Sequence, residues 1–546
     1  MLRALVVCLL VGWSAAAAAQ SADKILLNGK IVTVDDRFTI GQALAVRGQR
    51  VVAVGSNGQI ERLRGASTQV IDLQGRTVIP GLIDNHSHWI RAAEHNELRF
   101  DGVTSRQQAL KMLAERVRDN PGEWIAVLGG WSEEQFTDEP RGFPLDELDR
   151  IAPNNPVLLQ SVYNHSHLNS AALKAANITA ETPDPAGGKI EKDASGKPTG
   201  LVRGAGGVAF VAAKVPLKDQ EAWLANTRKL VTYLNSLGIT AWADAGGRGM
   251  SARHYEPYRH LAERGDLDIR VFWLTIRQPG TPEQVDRVLL EIPQQRPFQG
   301  NDYFDNIGWG ESVYGPATTN TMRAASAMRP EDMEQVRRIG QALAEHGLYL
   351  NAHVEMEPAI DAYLDQWEAI NKIHPIKGLH WTFSHADQVT QAQLERMKKL
   401  GMSVQLHSRP LIQGALMHKV HGDKAWDMPP FRRVQDSGIQ WGLGSDATAV
   451  TPSNPFYTLS LAVTGRMVGG QEVNRQTISR EEALIAHTRS NAHFLFQDGN
   501  LGSLSAGRYA DLLVLDRDYL SVPAEEIKDI RPLLTMVGGK VVYEAK

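Results

Sequence analysis

Hydrophobic and polar positions change rhythm twice along this chain. Directly after residue 20, the stretches KILLNGKIVTV, QALAVRGQRVVAVGS and STQVIDLQGRTVIPG are short β-branched runs separated by Asn-Gly, Arg-Gly and Gln-Gly turns, the pattern of antiparallel strands. The same texture returns at the far end in ADLLVLDRD and LLTMVGGKVVYEAK, with a Gly-Gly turn between apolar runs. Neither end supplies enough strands for a stable sheet by itself. The pattern therefore predicts one composite β-sandwich domain, built from residues 21–80 and 495–546.

Between these ends, strand-like apolar runs alternate with amphipathic helical stretches, the signature of parallel βα units. The strand runs are GITAWADAGG, IRVFWLTIR, LYLNAHVE, GLHWTFSHAD, MSVQLHS and IQWGLGSDA. PEDMEQVRRIGQALAEHG and TQAQLERMKKLG are helical patterns that run up to a glycine, as helices commonly do. Polar residues collect at the C-terminal ends of several separate strands, where barrel enzymes carry their sites. The expected fold class is therefore α/β, a TIM-like (β/α)8 barrel over 81–494. Residues from about 95 to 225 break the rhythm and are expected to be an insertion.

Composition narrows the function classes. The 546 residues are 42% hydrophobic and 22% charged, with 48 glycines, which is ordinary globular material with many tight turns. A formal charge of -4 without any block of Lys or Arg gives no footprint for nucleic acid or an anionic membrane. A small molecule is the expected partner, and homo-oligomerisation is compatible with the sequence. Residues 1–20, MLRALVVCLLVGWSAAAAAQ, combine Arg3, a short apolar run and a small-residue tail, the pattern of a secretory signal peptide rather than a stable membrane anchor. Cleavage is expected near Ala19 or Gln20, delivering a periplasmic or secreted protein. The one cysteine, Cys8, lies in this segment, so the mature chain would carry no thiol, disulfide or thiolate metal site.

The chemistry begins in VIPGLIDNHSHWI, an apolar strand run ending in His86 and His88. Alternate strand residues share a face, so both imidazoles can reach one ion. Imidazole suits zinc and similar divalent metals. LYLNAHVE puts His353 at the end of a strand, TFSHAD does the same for His385, and GLGSDA for Asp446. Buried hydrogen bonding explains any one of these, but explains five at strand ends poorly.

VIPGLIDNHSH, HLNSAAL, GITAWADAG, LNAHVE, FSHAD, WGLGSDA and the tail EEALIAHTRSNAHFLFQDGNLGSLSAGRYADLLVLD together resemble the amidohydrolase superfamily, in the family 3 branch similar to N-substituted formamide deformylase. The resemblance implies a metal-activated hydroxide, with His86, His88 and Asp446 on one metal and His353 and His385 on a second. It makes Asp446 the base that takes the proton from water. The expected cofactor is a divalent metal, zinc in the first instance, one or two ions per chain. Many relatives bridge two metals with a carboxylated lysine, yet no lysine lies between Lys229 and Lys372 here. Glu311, in FDNIGWGESVYG, is assigned as the bridge in its place. A mononuclear site is the alternative, with His385 as a hydrogen-bonding catalytic group and Glu311 outside the ligand shell.

In YNHSHLNSAAL, which resembles a substrate-side segment, His165 and His167 both qualify and His167 is preferred. Arg203 in GLVRGAG is a second substrate-binding candidate. Asp244, Glu355 and His407 are expected to make structural hydrogen bonds, and Trp131, Trp309 and Trp381 to pack in the core or line a pocket. The activity these residues imply is hydrolysis of a non-peptide C–N bond, amide or N-acyl, by an exported enzyme. Ester or lactone hydrolysis and deamination use the same apparatus. A silent periplasmic binding protein would have lost ligands, and none is lost; a serine hydrolase lacks its G-x-S-x-G elbow.

Overall fold

The structure, a computed structural model, describes residues 21–95, 97–216, 219–246 and 252–546. The expected signal peptide, with Cys8, lies outside the described residues. Among the described residues no helix is long and apolar enough to cross a membrane.

Eight parallel strands carry the centre: β1 (Leu82–Ser87), β2 (Ile239–Asp244), β3 (Arg270–Thr275), β4 (Phe304–Trp309), β5 (Asn351–Val354), β6 (Thr382–His385), β7 (Ser403–His407) and β8 (Trp441–Gly444). They form two four-stranded sheets in the orders β4-β3-β2-β1 and β5-β6-β7-β8. A parallel bridge between Trp309 and Leu350 joins one pair of edges. At the other pair, Gly442 and Gly444 let β8 come close to β1: a Cβ on Gly444 would lie 2.3 Å from Asn85 Oδ1, and one on Gly442 2.7 Å from Asn85 Nδ2. Most strand residues are buried, as parallel strands covered on both faces are. Leu82, Trp242 and Val271 pack with the surrounding helices, whereas Ile83, Ala241 and Phe272 pack with Phe494 and Leu495.

The helices follow their sequence signals. Gln391–Leu400 starts on a Thr390–Gln393 capping box and stops at Gly401 in the left-handed region. Pro330–Glu345 opens on proline and is capped at His346, with Gly347 following at φ +65°.

The two chain ends share one six-stranded sheet, in which Leu512–Leu515 pairs antiparallel with Thr77–Pro80. A four-stranded sheet packs on it through Leu26, Leu44 and Val46 on one side and Val78, Leu512 and Met536 on the other. The Gly538–Gly539 turn, at φ +54° and +75°, joins Pro532–Val537 to Lys540–Glu544 as the hairpin signal predicts. Two pairings depart from the antiparallel expectation: Lys24–Leu27 with Gln69–Asp72, and Lys30–Val32 with Thr77–Pro80, are parallel. The hairpin Ala43–Gly55 and helix Asn57–Glu61 lie between the partners in each case. That excursion carries the chain back to its starting end, which a tight turn cannot do. Arg270 of β3 ties the barrel strands to this region, its Nε donating to Asp511 Oδ2 at 2.8 Å and its Nη2 to Oδ1 at 3.1 Å.

Residues 97–216 leave the parallel rhythm for a five-stranded mixed sheet spanning Ile125 to Arg203, with its own apolar clusters. It is tied to the segment that follows β8. Arg99 Nη2 donates to the Thr448 carbonyl at 3.0 Å, Gly130 N to the Ala449 carbonyl at 2.9 Å, and Ser453 N to Asp101 Oδ2 at 2.8 Å.

Candidate metal centre

His86 and His88 occupy the end of β1 with alternation putting both rings on one side, 5.3 Å between centroids. His88 Nδ1 donates to the Gly246 carbonyl, since a carbonyl only accepts. Its Nε2 is thereby turned inward, 3.2 Å from Asp446 Oδ1 and 3.6 Å from Glu311 Oε1. His86 is fully buried and neither ring nitrogen has a hydrogen-bond partner. Such an orphaned pair is costly unless something else satisfies it. A divalent ion would do so, since His86 Nε2 faces Glu311 Oε2 at 3.4 Å and Asp446 Oδ1 at 3.9 Å.

Asp446 follows β8 at φ +63°, and His385 ends β6 at φ +73°. Left-handed backbone at non-glycine residues costs on the order of 1–3 kcal/mol, and is retained where the surroundings hold a functional side chain in place. The surroundings are visible. Asp446 N donates to the His86 carbonyl at 3.0 Å, while Asp84 Oδ1 accepts from His86 N and from Ser445 N, each at 3.1 Å. Asp84 has its pKa pushed up to about 6 by burial, with these hydrogen bonds opposing the rise.

Glu311, just beyond β4, stands between two groups of ligands. One is His86, His88 and Asp446; the other is Glu311 itself with His353 and His385. Its Oε2 lies 2.9 Å from His353 Nδ1 and 3.5 Å from His385 Nε2, and the same carboxylate faces His86 Nε2 at 3.4 Å and His88 Nε2 at 3.6 Å. Burial alone would raise the Glu311 pKa; the His353 charge and the hydrogen bonds from His353 and His385, with the His86 ring facing the carboxyl, outweigh it and hold the carboxyl ionised. His353 Nε2 donates to the Thr319 carbonyl at 3.2 Å, leaving Nδ1 for the centre. Burial depresses its pKa, but Glu355 and Glu311 more than reverse that. His385 goes the other way, down to about 4 through burial and the His353 charge.

Two residues read as structural from the sequence belong to this neighbourhood. His407 Nδ1 lies 2.8 Å from His385 Nδ1, and His86, His385 and His407 form a further group of metal-ligand spacing. Glu355 accepts from Arg409 Nη2 at 3.1 Å, and the same nitrogen lies 3.5 Å from Asp446 Oδ2. Arg409, in SRPLI, was not singled out by its sequence context. Asp244 makes the hydrogen bonds expected of it, accepting from Tyr255 Oη and Gly246 N, both at 2.9 Å. Trp131, Trp309 and Trp381 are all fully buried.

The substrate-side candidates lie in the insertion. His167 is grouped with His165 and Glu133 rather than with the barrel ligands. Arg203 is half exposed and its Nε donates to Glu191 Oε1 at 3.1 Å. Neither is among the groups that converge at the centre.

The nitrogen and carboxylate donors, two neighbouring triads with Glu311 belonging to one and facing the other, and the orphaned nitrogens of His86 all fit divalent metal. Comparison with known proteins agrees. Residues 69–543 match the amidohydrolase family. The N-substituted formamide deformylase of Arthrobacter pascens is 26% identical, with 96% of this chain and 99% of that protein covered. The protein LONG AFTER FAR-RED 3 of Arabidopsis thaliana is also 26% identical, over 96% of this chain and 92% of its own. Among solved structures, an uncharacterized metal-dependent hydrolase from Pyrococcus furiosus superposes with TM-score 0.65 at 22% identity, covering 91% of this chain and 100% of that one. The eight parallel strands are thus those of a TIM-barrel α/β fold.

Proposed function

The chain belongs to the amidohydrolase family and is a hydrolase acting on carbon–nitrogen bonds, and from that premise we propose that it cleaves a non-peptide amide or N-acyl bond at the centre built around Glu311. The observation that carries this reading is the placement of Asp446, one oxygen towards the metal-ligand imidazoles and the other held by Arg409. His86, His88, Glu311, His353, His385 and Asp446 would hold the divalent metal, which would supply a more acidic water and a polarised scissile carbonyl.

The protein's own groups do the rest. Burial raises the Asp446 pKa, but the His88 hydrogen bond and the charges of His385 and His88 bring it below the ordinary carboxylate value. Asp446 is therefore ionised at neutral pH and ready to accept a proton. It takes one proton from the attacking water as the new C–O bond forms, and returns it to the departing nitrogen as the C–N bond breaks. The products are a carboxylic acid and an amine. Arg409 keeps the carboxylate oriented and Asp84 fixes the backbone on either side of it. Glu311, ionised between both ligand groups, would offset cationic charge in a largely buried site.

N-substituted formamides are the first substrate class to test, because the Arthrobacter relative carries that name. The experiment is a panel of N-substituted formamides, larger N-acyl amines, esters, lactones and amino-heterocycles, assayed with zinc-loaded protein. Turnover confined to the esters, lactones or heterocycles would remove the proposal. We also propose export, on the strength of the charged, apolar and small-residue pattern of residues 1–20. N-terminal sequencing of the periplasmic protein should begin close to Gln20, and a full-length chain retained in the cytoplasm would contradict it.

A further inference from the structure

A second cluster of ligand-type side chains lies in the insertion and takes no part in the centre just described. His165 and His167 sit on the strand His165–Leu168, which runs between Val157–Ser161 and Pro198–Arg203. Residues two apart on a strand point to the same face, and both Nε2 atoms reach one oxygen, Oε1 of Glu133, at 2.6 Å and 3.4 Å. The rings stand 5.0 Å apart and nearly perpendicular. Glu133 comes from a separate element, the short turn Glu133–Gln135, and Ser161 Oγ donates to its other oxygen at 3.3 Å. Gly142 closes the site from above. A Cβ there would lie 2.4 Å from His167 Nε2 and 3.3 Å from Glu133 Oε1, so only glycine lets the backbone approach this closely.

Two imidazole nitrogens and a carboxylate oxygen make a zinc-type donor set, usually completed by water. Bonds of about 2.1 Å in a tetrahedral shell separate ligand atoms by about 3.4 Å. The His167–Glu133 contact already has that spacing, and the His165–Glu133 contact needs to open by less than about 1 Å. The three side chains are 12–18% exposed, enough for an ion to enter and too little for a freely moving surface pair. The Glu133 carboxyl is held ionised by hydrogen bonds from His165 and His167, which outweigh its burial.

We propose that Glu133, His165 and His167 form a further divalent-cation site, separate from the barrel centre, that fastens the Glu133 turn to the insertion's sheet. The residues just before the turn are among those by which the insertion reaches the barrel face. Ser132 Oγ donates to the Ile412 carbonyl at 2.5 Å, and Gly130 N to the carbonyl of Ala449, three residues after Asp446. An ion at this position fixes the loop that covers the segment carrying the catalytic aspartate.

The test is zinc content per chain, by mass spectrometry, after dialysis of the full-length mature protein against buffered micromolar Zn2+. Wild type, His165→Ala/His167→Ala, His86→Ala/His88→Ala and the combination of all four are compared, with circular dichroism as the check on folding. The insertion pair should lower the count by one ion per chain in both the wild-type and the barrel-ligand backgrounds. Equal counts with and without the insertion pair overturn the proposal. Loss in one background alone overturns it too, by showing that the ion belongs to the barrel centre. Should the double variant fail to fold, anomalous scattering at the zinc edge from wild-type crystals decides instead. A peak among the three side chains supports the site, and a peak confined to the barrel excludes it.

Discussion

Asp446→Asn keeps the shape of the side chain and removes its charge. In the structure Oδ1 is 3.2 Å from His88 Nε2 and Oδ2 is 3.5 Å from Arg409 Nη2, so both oxygens face donors or a cation. An amide offers one acceptor; its NH2 must then face either a metal-ligand imidazole or the guanidinium. At 3.5 Å and an effective dielectric of about 20, the carboxylate–guanidinium attraction is roughly 5 kcal/mol before desolvation offsets part of it. The catalytic loss is separate, since the amide accepts no proton from water. General acid–base catalysis contributes about 10²–10⁴-fold, or about 3–5 kcal/mol of barrier. Turnover should fall by about a thousandfold. His86, His88 and Glu311 are untouched, so most of the metal should remain. The assay is amine release from an N-substituted formamide at matched metal content. An Asn variant retaining more than about a tenth of wild-type kcat at equal metal content would refute the proton-transfer role.

Three other perturbations probe different parts of the structure. Glu311→Gln removes the charge between the two ligand groups, so metal content after identical dialysis should fall by one ion per chain along with activity; an unchanged count would sink the bridging assignment. Asp511→Asn leaves Arg270 buried with a half-satisfied partner, and breaking such a pair costs about 3–5 kcal/mol, read as a lower denaturation midpoint with metal content unchanged at low denaturant. His487 is wholly buried, and burial pulls its pKa down to about 4, against about 6.5 in the unfolded chain. The unfolded state binds the proton first, so the contribution of neutral His487 is present above about pH 6.5 and is lost as pH falls towards 4, amounting to about 3 kcal/mol. His487→Gln should flatten the fall in stability across that window, and an identical pH profile would count against it.

The residues that end strands were legible because strand periodicity and position suffice to place them. His86 and His88 could be read as a pair from their spacing, and His353, His385 and Asp446 from the apolar runs that precede them. Glu311 needed a different argument, the absence of lysine from the middle of the chain, since a glutamate after β4 looks like any surface carboxylate. Arg409, Glu355 and His407 were placed or overlooked as structural because their meeting depends on neighbouring strand ends touching across space. Sequence distance carries no trace of that contact. The parallel pairings of Lys24–Leu27 and Lys30–Val32 were missed for a related reason. Turn signals report where a strand stops, but the direction of its eventual partner is set by an excursion of some forty residues. In the insertion, His165 and His167 repeat the spacing of His86 and His88, a signal the sequence did contain; Glu133 could be joined to them only by the fold.

The central claim, that carbon–nitrogen bond hydrolysis depends on metal at the Glu311 centre, is tested most directly by stripping and restoring the wild-type protein. Dipicolinate-treated, desalted enzyme should lose turnover of an N-substituted formamide while remaining folded, and stepwise addition of Zn2+ should restore it. The same restoration should fail in His86→Ala/His88→Ala and succeed in His165→Ala/His167→Ala. Full activity in metal-free protein, or restoration in the barrel-ligand variant, would contradict the account.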